Sequence, residues 1–272
     1  LVAARPVSGA LGIGHTRWAT HGVPSESNAH PHATERVAVV HNGIIENFQT
    51  LRDELTAEGH EFATDTDTEV VTQLIHAFLK EGMAPAEATA RALKRLEGAF
   101  ALGIIFAGEH DVLIGARRGA PLAVGHGEGE MFLASDAMAL APFTRRVSYL
   151  EEGDWVVLKH GGATVRDAED QIVEREISQT VHDGEAVGKE NYRHFMHKEI
   201  HEQPAVIGDT LNSYINPTSG AIALPELPFA LEDVSRVTII ACGTSYYAGL
   251  VARYWIEGLA RVPVEIDVSS EF

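Results

Sequence analysis

Between Phe100 and Asp167 the chain repeats short apolar runs broken by turn residues: "FALGIIF", "DVLIGARR", "PLAVG", "MFLAS", "WVVLKH" and "ATVRD". Runs of this length at this spacing predict strands joined by tight connections, hence a largely antiparallel sheet. Three helical patterns come first. In "IIENFQTLRDELTAEGH" the apolar residues Ile45, Phe48, Leu51 and Leu55 recur at helical spacing before a stop at Gly59. In "TDTDTEVVTQLIHAFLKEG" Thr66 and Glu69 have the capping-box interval, and Val70, Val71, Leu74, Ile75 and Phe78 form the apolar stripe. That places Asp67 at a helix mouth. The third pattern is "PAEATARALKRLEG". Helices followed by hairpins give a layered α/β fold.

A composition shift at "QTVHDGEAVGKENY" marks a linker, so residues 1–182 read as one domain, 183–191 as the connection and 192–272 as a second domain. The second opens on "YRHFMHKEIHEQPAVIGDTLNS", helical with an interruption at Pro204. It then runs strand (Val237 to Ile240), glycine-containing loop, helix, strand: one βαβ unit and the start of a parallel sheet, with its ligand site expected at the carboxyl end of the strand. The chain begins with Leu1 and ends on "VEIDVSSEF", and both ends read as cuts in a longer protein.

Charge narrows the partners. With 21 Lys and Arg against 39 Asp and Glu, the formal net charge is −18, which argues against nucleic acid or an anionic membrane surface. One cysteine, Cys242, forms no internal disulfide, and no leader or long apolar run is visible, so a reducing cytoplasm is expected.

Chemistry gathers in "GIGHTRWATHG". A free amino acid needs a guanidinium fork for its carboxylate and a carboxylate for its ammonium, which Arg17 and Asp67 offer; a surface arginine and a capping aspartate are the plainer alternative. The stretch "RVAVVHNG" predicts a strand over Val37 to Val40 that hands His41, Asn42 and Gly43 to a loop. There the Asn42 amide and the Gly43 N–H suit a developing oxyanion, although Asn-Gly is also a common turn. His30 and His32, with His15, His21 and His41, lack partners at metal-site spacing, so no metal is expected and structural histidines are favoured. Cys242 has no base placed for it and reads as a buried structural thiol.

Taken jointly, "GHTRWATHG", "NAHPH", "VVHNGIIEN", "TDTE" and "ASD" resemble the class II glutamine amidotransferase domain, an N-terminal-nucleophile fold of α/β/β/α layers, while "YRHFMHKEIHEQP" and "ACGTSYYAG" resemble the opening of a sugar-isomerase domain. The combination is similar to the isomerising amidotransferases that make glucosamine 6-phosphate from fructose 6-phosphate and glutamine. That resemblance implies a glutamine pocket of Arg17, Thr20, His21 and Asp67, and an oxyanion hole of Asn42 and Gly43. It also implies Trp18 governing ammonia passage, Thr244 and Ser245 in the first sugar loop, no cofactor, and a homodimer when complete. The family's nucleophile is an N-terminal cysteine whose α-amine is its base. No cysteine precedes Cys242, so the 272 residues alone are expected to be inactive. Other acceptors, as in amidophosphoribosyltransferase or asparagine synthetase, fit "ACGTSYYAG" poorly. The remaining alternative is a non-catalytic sugar-phosphate sensor with a degenerate glutaminase-like domain.

Overall fold

A computed structural model describes residues 9–16, 22–23, 25–180, 189, 191–215, 221–222 and 229–272. The chain separates into two compact units, Leu1–Gly188 and Lys189–Phe272.

In the first unit the strands are β1 (His32–Ala33), β2 (Val37–Ile45), β3 (Gly98–Phe106), β4 (Leu113–Arg118), β5 (Ala123–His126), β6 (Met131–Ala134), β7 (Arg146–Tyr149), β8 (Trp155–Lys159), β9 (Gly162–Arg166), β10 (Ile172–Val173) and β11 (Ser178–Gln179). They build a seven-stranded sheet, β1-β2-β3-β4-β8-β9-β10, and a four-stranded sheet, β11-β7-β5-β6, with every pairing between neighbouring strands antiparallel. The helices α1 (Phe48–Ala57), α2 (Thr68–Lys80) and α3 (Pro85–Leu93) lie between β2 and β3 in sequence.

Strand periodicity divides the core in two. On β3, Phe100, Leu102, Ile104 and Phe106 pack with Leu51, Leu55, Val70, Leu74 and Phe78 of the helices, while Ala101 and Ile105 pack with Leu122, Val124 and Leu150 on the side of the smaller sheet. The layers are therefore helix, large sheet, small sheet. Where the sheets approach, β3 and β4 carry glycine: a Cβ on Gly103 would lie 3.0 Å from Val40 Cγ2, and one on Gly115 would lie 2.8 Å from Leu133 Cδ1.

Three local expectations in this unit need correction, and one strand is an addition. His41, Asn42 and Gly43 are not in a loop; they are strand residues of β2, opposite Leu102, Ala101 and Phe100. Ile45 is the end of that strand rather than the start of α1, which begins at Phe48 and stops before Gly59 at φ +90°. The capping box does not form, since α2 begins at Thr68 with Asp67 at the capping position. Glu69 instead accepts from Ala63 N at 2.9 Å, Thr64 N at 2.8 Å and Thr64 Oγ1 at 2.7 Å, a set of donors in the preceding loop that outcompetes the cap. Finally, β7 is a strand that "RVSY" was too short to announce.

The second unit contains α4 (Phe195–Tyr214), β12 (Val237–Ala241), α5 (Gly243–Trp255) and β13 (Val264–Val268). Helix α4 runs through Pro204 without the expected interruption. The parallel pair β12–β13 with α5 between them is the expected βαβ unit, and Gly249 lets α5 sit close, because a Cβ there would lie 2.7 Å from Ile266 Cδ1. No described helix is long and apolar enough to cross a membrane.

Candidate active site

Alternation along β2 sorts its side chains. Val37, Val39, His41 and Ile45 are buried, with the three aliphatic residues in the helix-side core, which leaves Asn42 in the other row with Val40, exposed at a cleft of about 280 Å³. Gly14, His15, His41, Ala101 and Ser135 also line this cleft. A larger one, about 470 Å³, shares Gly14, Val40 and Leu133 with it.

Next to Asn42, Gly43 has φ +122°, and a Cβ there would stand 2.1 Å from the Ala99 carbonyl oxygen. Only glycine fits so close an approach to the paired strand β3. The same Asn-Gly pair that suggests a turn thus serves as a close backbone contact inside a sheet.

Asp67 is 3% exposed at the N-terminus of α2, where the helix dipole favours its charge. Its side chain does not cap the helix; Oδ2 accepts from the Ile45 backbone N–H at 2.9 Å. The strand bearing Asn42 and Gly43 is thereby fastened to the helix mouth. Asn28, 2% exposed, ties two loops together, accepting from Asp65 N at 3.1 Å and donating Nδ2–H to the Val23 carbonyl at 3.1 Å.

His15, His30, His32 and His41 form a cluster of edge-on and tilted rings. His15 meets His30 edge-on with centroids 4.3 Å apart, and His30 lies 5.0 Å from His32 and 6.4 Å from His41. His32 Nε2 bonds Thr66 Oγ1 at 3.1 Å just before α2, and His41 Nδ1 bonds Thr68 Oγ1 at 2.9 Å at the first residue of α2. His15 Nε2 lies 2.7 Å from Asn42 Oδ1. Among the described residues no group of three or more His, Cys, Asp and Glu is arranged to hold a metal ion.

Of the residues expected at the site, Asn42, Gly43 and Asp67 are joined through β2 and the Ile45 bond. Arg17, Trp18, Thr20 and His21 lie outside the described residues. Thr244 and Ser245 are the second and third residues of α5, exposed, and neither holds its capping position, which belongs to Cys242. Cys242 is exposed rather than buried, a correction that follows from its place between strand end and helix start. Sequence reasoning missed the roles of His15, Asn28, Thr66, Thr68 and Glu69. The quoted "NAHPH" and "TDTE" contain four of them; Asp65 against Asn28, His32 against Thr66 and His41 against Thr68 are 27 to 37 positions apart, too far for spacing to reveal, while Glu69 bonds the nearby Ala63 and Thr64 outside the capping-box pattern.

Residues 15–142 match the family model described as a glutamine amidotransferase domain. A glutamine–fructose-6-phosphate aminotransferase (isomerizing) from Zymomonas mobilis is 58% identical over 272 residues, covering 100% of this chain and 45% of that protein. One of the same name from Bradyrhizobium diazoefficiens is 58% identical over 270 residues, 99% of this chain and 44% of that protein. The chain thus spans less than half the length of these curated relatives. A solved structure titled the allosteric regulatory enzyme of purine biosynthesis aligns at TM-score 0.51 and 18% identity, over 94% of this chain and 66% of its own, and speaks to the fold alone.

Proposed function

We propose that this chain, whose residues 15–142 match the glutamine amidotransferase domain model, is the glutamine-using portion of an enzyme converting fructose 6-phosphate and glutamine to glucosamine 6-phosphate and glutamate. The observation that carries this reading is the unit formed by β2 and α2, in which Asn42 and Gly43 adjoin on the strand while the Ile45–Asp67 bond ties the anionic helix mouth to it. In the proposed reaction a cysteine thiolate attacks the glutamine side-chain carbonyl, and Asn42 and Gly43 donate to the oxyanion that forms. Collapse of that adduct breaks the C–N bond and releases ammonia, and water then hydrolyses the thioester to glutamate.

Arg17 would take the substrate carboxylate, Asp67 its ammonium, and Thr20 and His21 the remainder of the amino acid. Trp18 would cover the site and steer ammonia. Residues 183–191 would link this domain to the start of a sugar-isomerase domain at 192–272, where Thr244 and Ser245 would meet sugar hydroxyls as neutral partners. The reading further places the complete enzyme in the cytoplasm as a homodimer that feeds amino-sugar synthesis. It assigns the thiolate to a cysteine other than Cys242.

Titration of the purified 272-residue chain with glutamine tests the binding half. The expectation is saturable heat that Asp67→Ala abolishes, with no ammonia released. No glutamine binding by a folded chain would overturn the reading and favour a sensor without a working glutaminase pocket.

A further inference from the structure

We propose that His15 is a positioning residue for Asn42: by donating Nε2–H to the side-chain carbonyl at 2.7 Å, it fixes which end of that amide faces the reacting carbonyl. The inference rests on the reading of Asn42 as an oxyanion donor and deepens it.

An asparagine amide has two ends of nearly the same shape and opposite function, an acceptor oxygen and a donor NH2. Half a turn about the last side-chain bond exchanges them. With the wrong end forward, a carbonyl dipole would face the developing negative charge and raise the barrier. Asn42 is exposed at its cleft, so close packing does not select the orientation. The contact to His15 does. A donor on Nε2 satisfies Oδ1 and turns the NH2 group away from the imidazole; a bare Nε2 would attract the NH2 group and flip the amide.

The imidazole proton is therefore an orientation signal, and its surroundings favour the required tautomer. His15 Nδ1 is buried and has no hydrogen-bond partner among the described residues, so a proton placed there would be left unsatisfied, whereas one on Nε2 is used. The ring is braced edge-on by His30 at 4.3 Å, and His30 by His32 at 5.0 Å, which is anchored to Thr66 beside Asp67. One continuous set of contacts thus runs from the mouth of α2 to the oxyanion donor.

The test compares His15→Phe, Asn42→Ala and the double variant in an active protein bearing these residues together with the nucleophile. Asn42→Ala is expected to lower kcat for glutamine hydrolysis roughly 100- to 1000-fold. His15→Phe, which keeps the ring and removes the donor, is expected to lower kcat about 10- to 100-fold, as loss of an outer partner does elsewhere, with KM for glutamine nearly unchanged. His15→Gln, whose amide can still donate, recovers most of that loss, and the double variant is no slower than Asn42→Ala. Normal turnover by Asn42→Ala would remove the oxyanion reading itself. A slow Asn42→Ala alongside a normal His15→Phe, or losses that multiply in the double variant, would overturn the positioning role alone. Nitrogen NMR of the 272-residue chain supplies a readout that needs no activity: neutral His15 should carry its proton on Nε2, and an Nδ1–H tautomer contradicts the proposal.

Discussion

The Ile45 backbone N–H donates to Asp67 Oδ2 at 2.9 Å in a buried bond joining the end of β2 to the start of α2. A residue proposed to hold a substrate ammonium is thus also part of the scaffold, and its two roles separate by substitution.

Asp67→Asn keeps an acceptor for Ile45 and removes the charge, while Asp67→Ala removes both. The asparagine variant should lose glutamine affinity by about 1.5 to 3 kcal/mol, the range for hydrogen bonds to charged groups, with little change in stability. The alanine variant should in addition lose about 1 to 3 kcal/mol of stability, because the Ile45 N–H is left buried and unpaired. Urea unfolding paired with glutamine titration checks both, and equal stability of the two variants would contradict the scaffold role.

Gly43→Ala should be far worse than an ordinary strand substitution. With φ at +122° and the Ala99 oxygen 2.1 Å from the new methyl, β2 and β3 have to separate. A loss of at least ~3 kcal/mol is expected, above the usual range for point changes, and it should appear as insolubility or a large fall in thermal midpoint.

Acid should loosen the first unit. Burial lowers the pKa of His76, with Lys80 adding to the effect and Glu35 opposing it; burial likewise lowers His126, assisted by Arg146. Both folded values lie below the ordinary 6.5, so the unfolded chain binds more protons as the solution is acidified. Their contribution to stability is complete above 6.5 and is lost as pH falls through the depressed values. Unfolding midpoints at pH 8 and pH 5 should show the decline, and His76→Gln should make it shallower; an unchanged slope in that variant would exclude His76 as a source.

Arg175 should contribute strongly to stability although it does not line the cleft. Its Nε and Nη2 donate to Asp154 Oδ2 and Oδ1 at 2.8 and 2.9 Å, and the Asp154 side chain is wholly buried while also accepting from Glu151 N at 2.7 Å. Arg175→Met leaves that carboxylate uncompensated, for an expected loss of about 3 to 5 kcal/mol. The double variant Arg175→Met with Asp154→Leu should regain much of it. Failure of the second change to recover any stability would show that the pair is not the source.

The parts of this molecule that a sequence shows are those governed by local periodicity. The stripe Val70, Val71, Leu74, Ile75 and Phe78 is buried along α2 as its spacing implies, and Phe100 to Phe106 alternate between two cores as a strand must. Signals failed where a local preference met a tertiary competitor. Asn42-Gly43 has turn chemistry, yet pairing with Phe100 and Ala101 keeps both residues in β2. Thr66 and Glu69 have capping-box spacing, yet Glu69 finds three donors in the loop before α2 and Thr66 finds His32. The contact between His15 and Asn42 spans 27 positions and follows no period, so nothing local announces it.

Gly115 and Leu133 carry a consequence for how such a chain can change over time. The leucine methyl groups occupy the space where a Cβ on Gly115 would fall, at 2.8 and 2.9 Å, and one of them would lie 3.7 Å from a Cβ on Gly103. A methyl group added to strand β4 at this point displaces the leucine methyl groups and fits more easily beside a smaller residue on β6, while a smaller residue on β6 alone leaves unfilled space between the sheets. The two positions are therefore expected to vary together across descendants, each recording the history of the other.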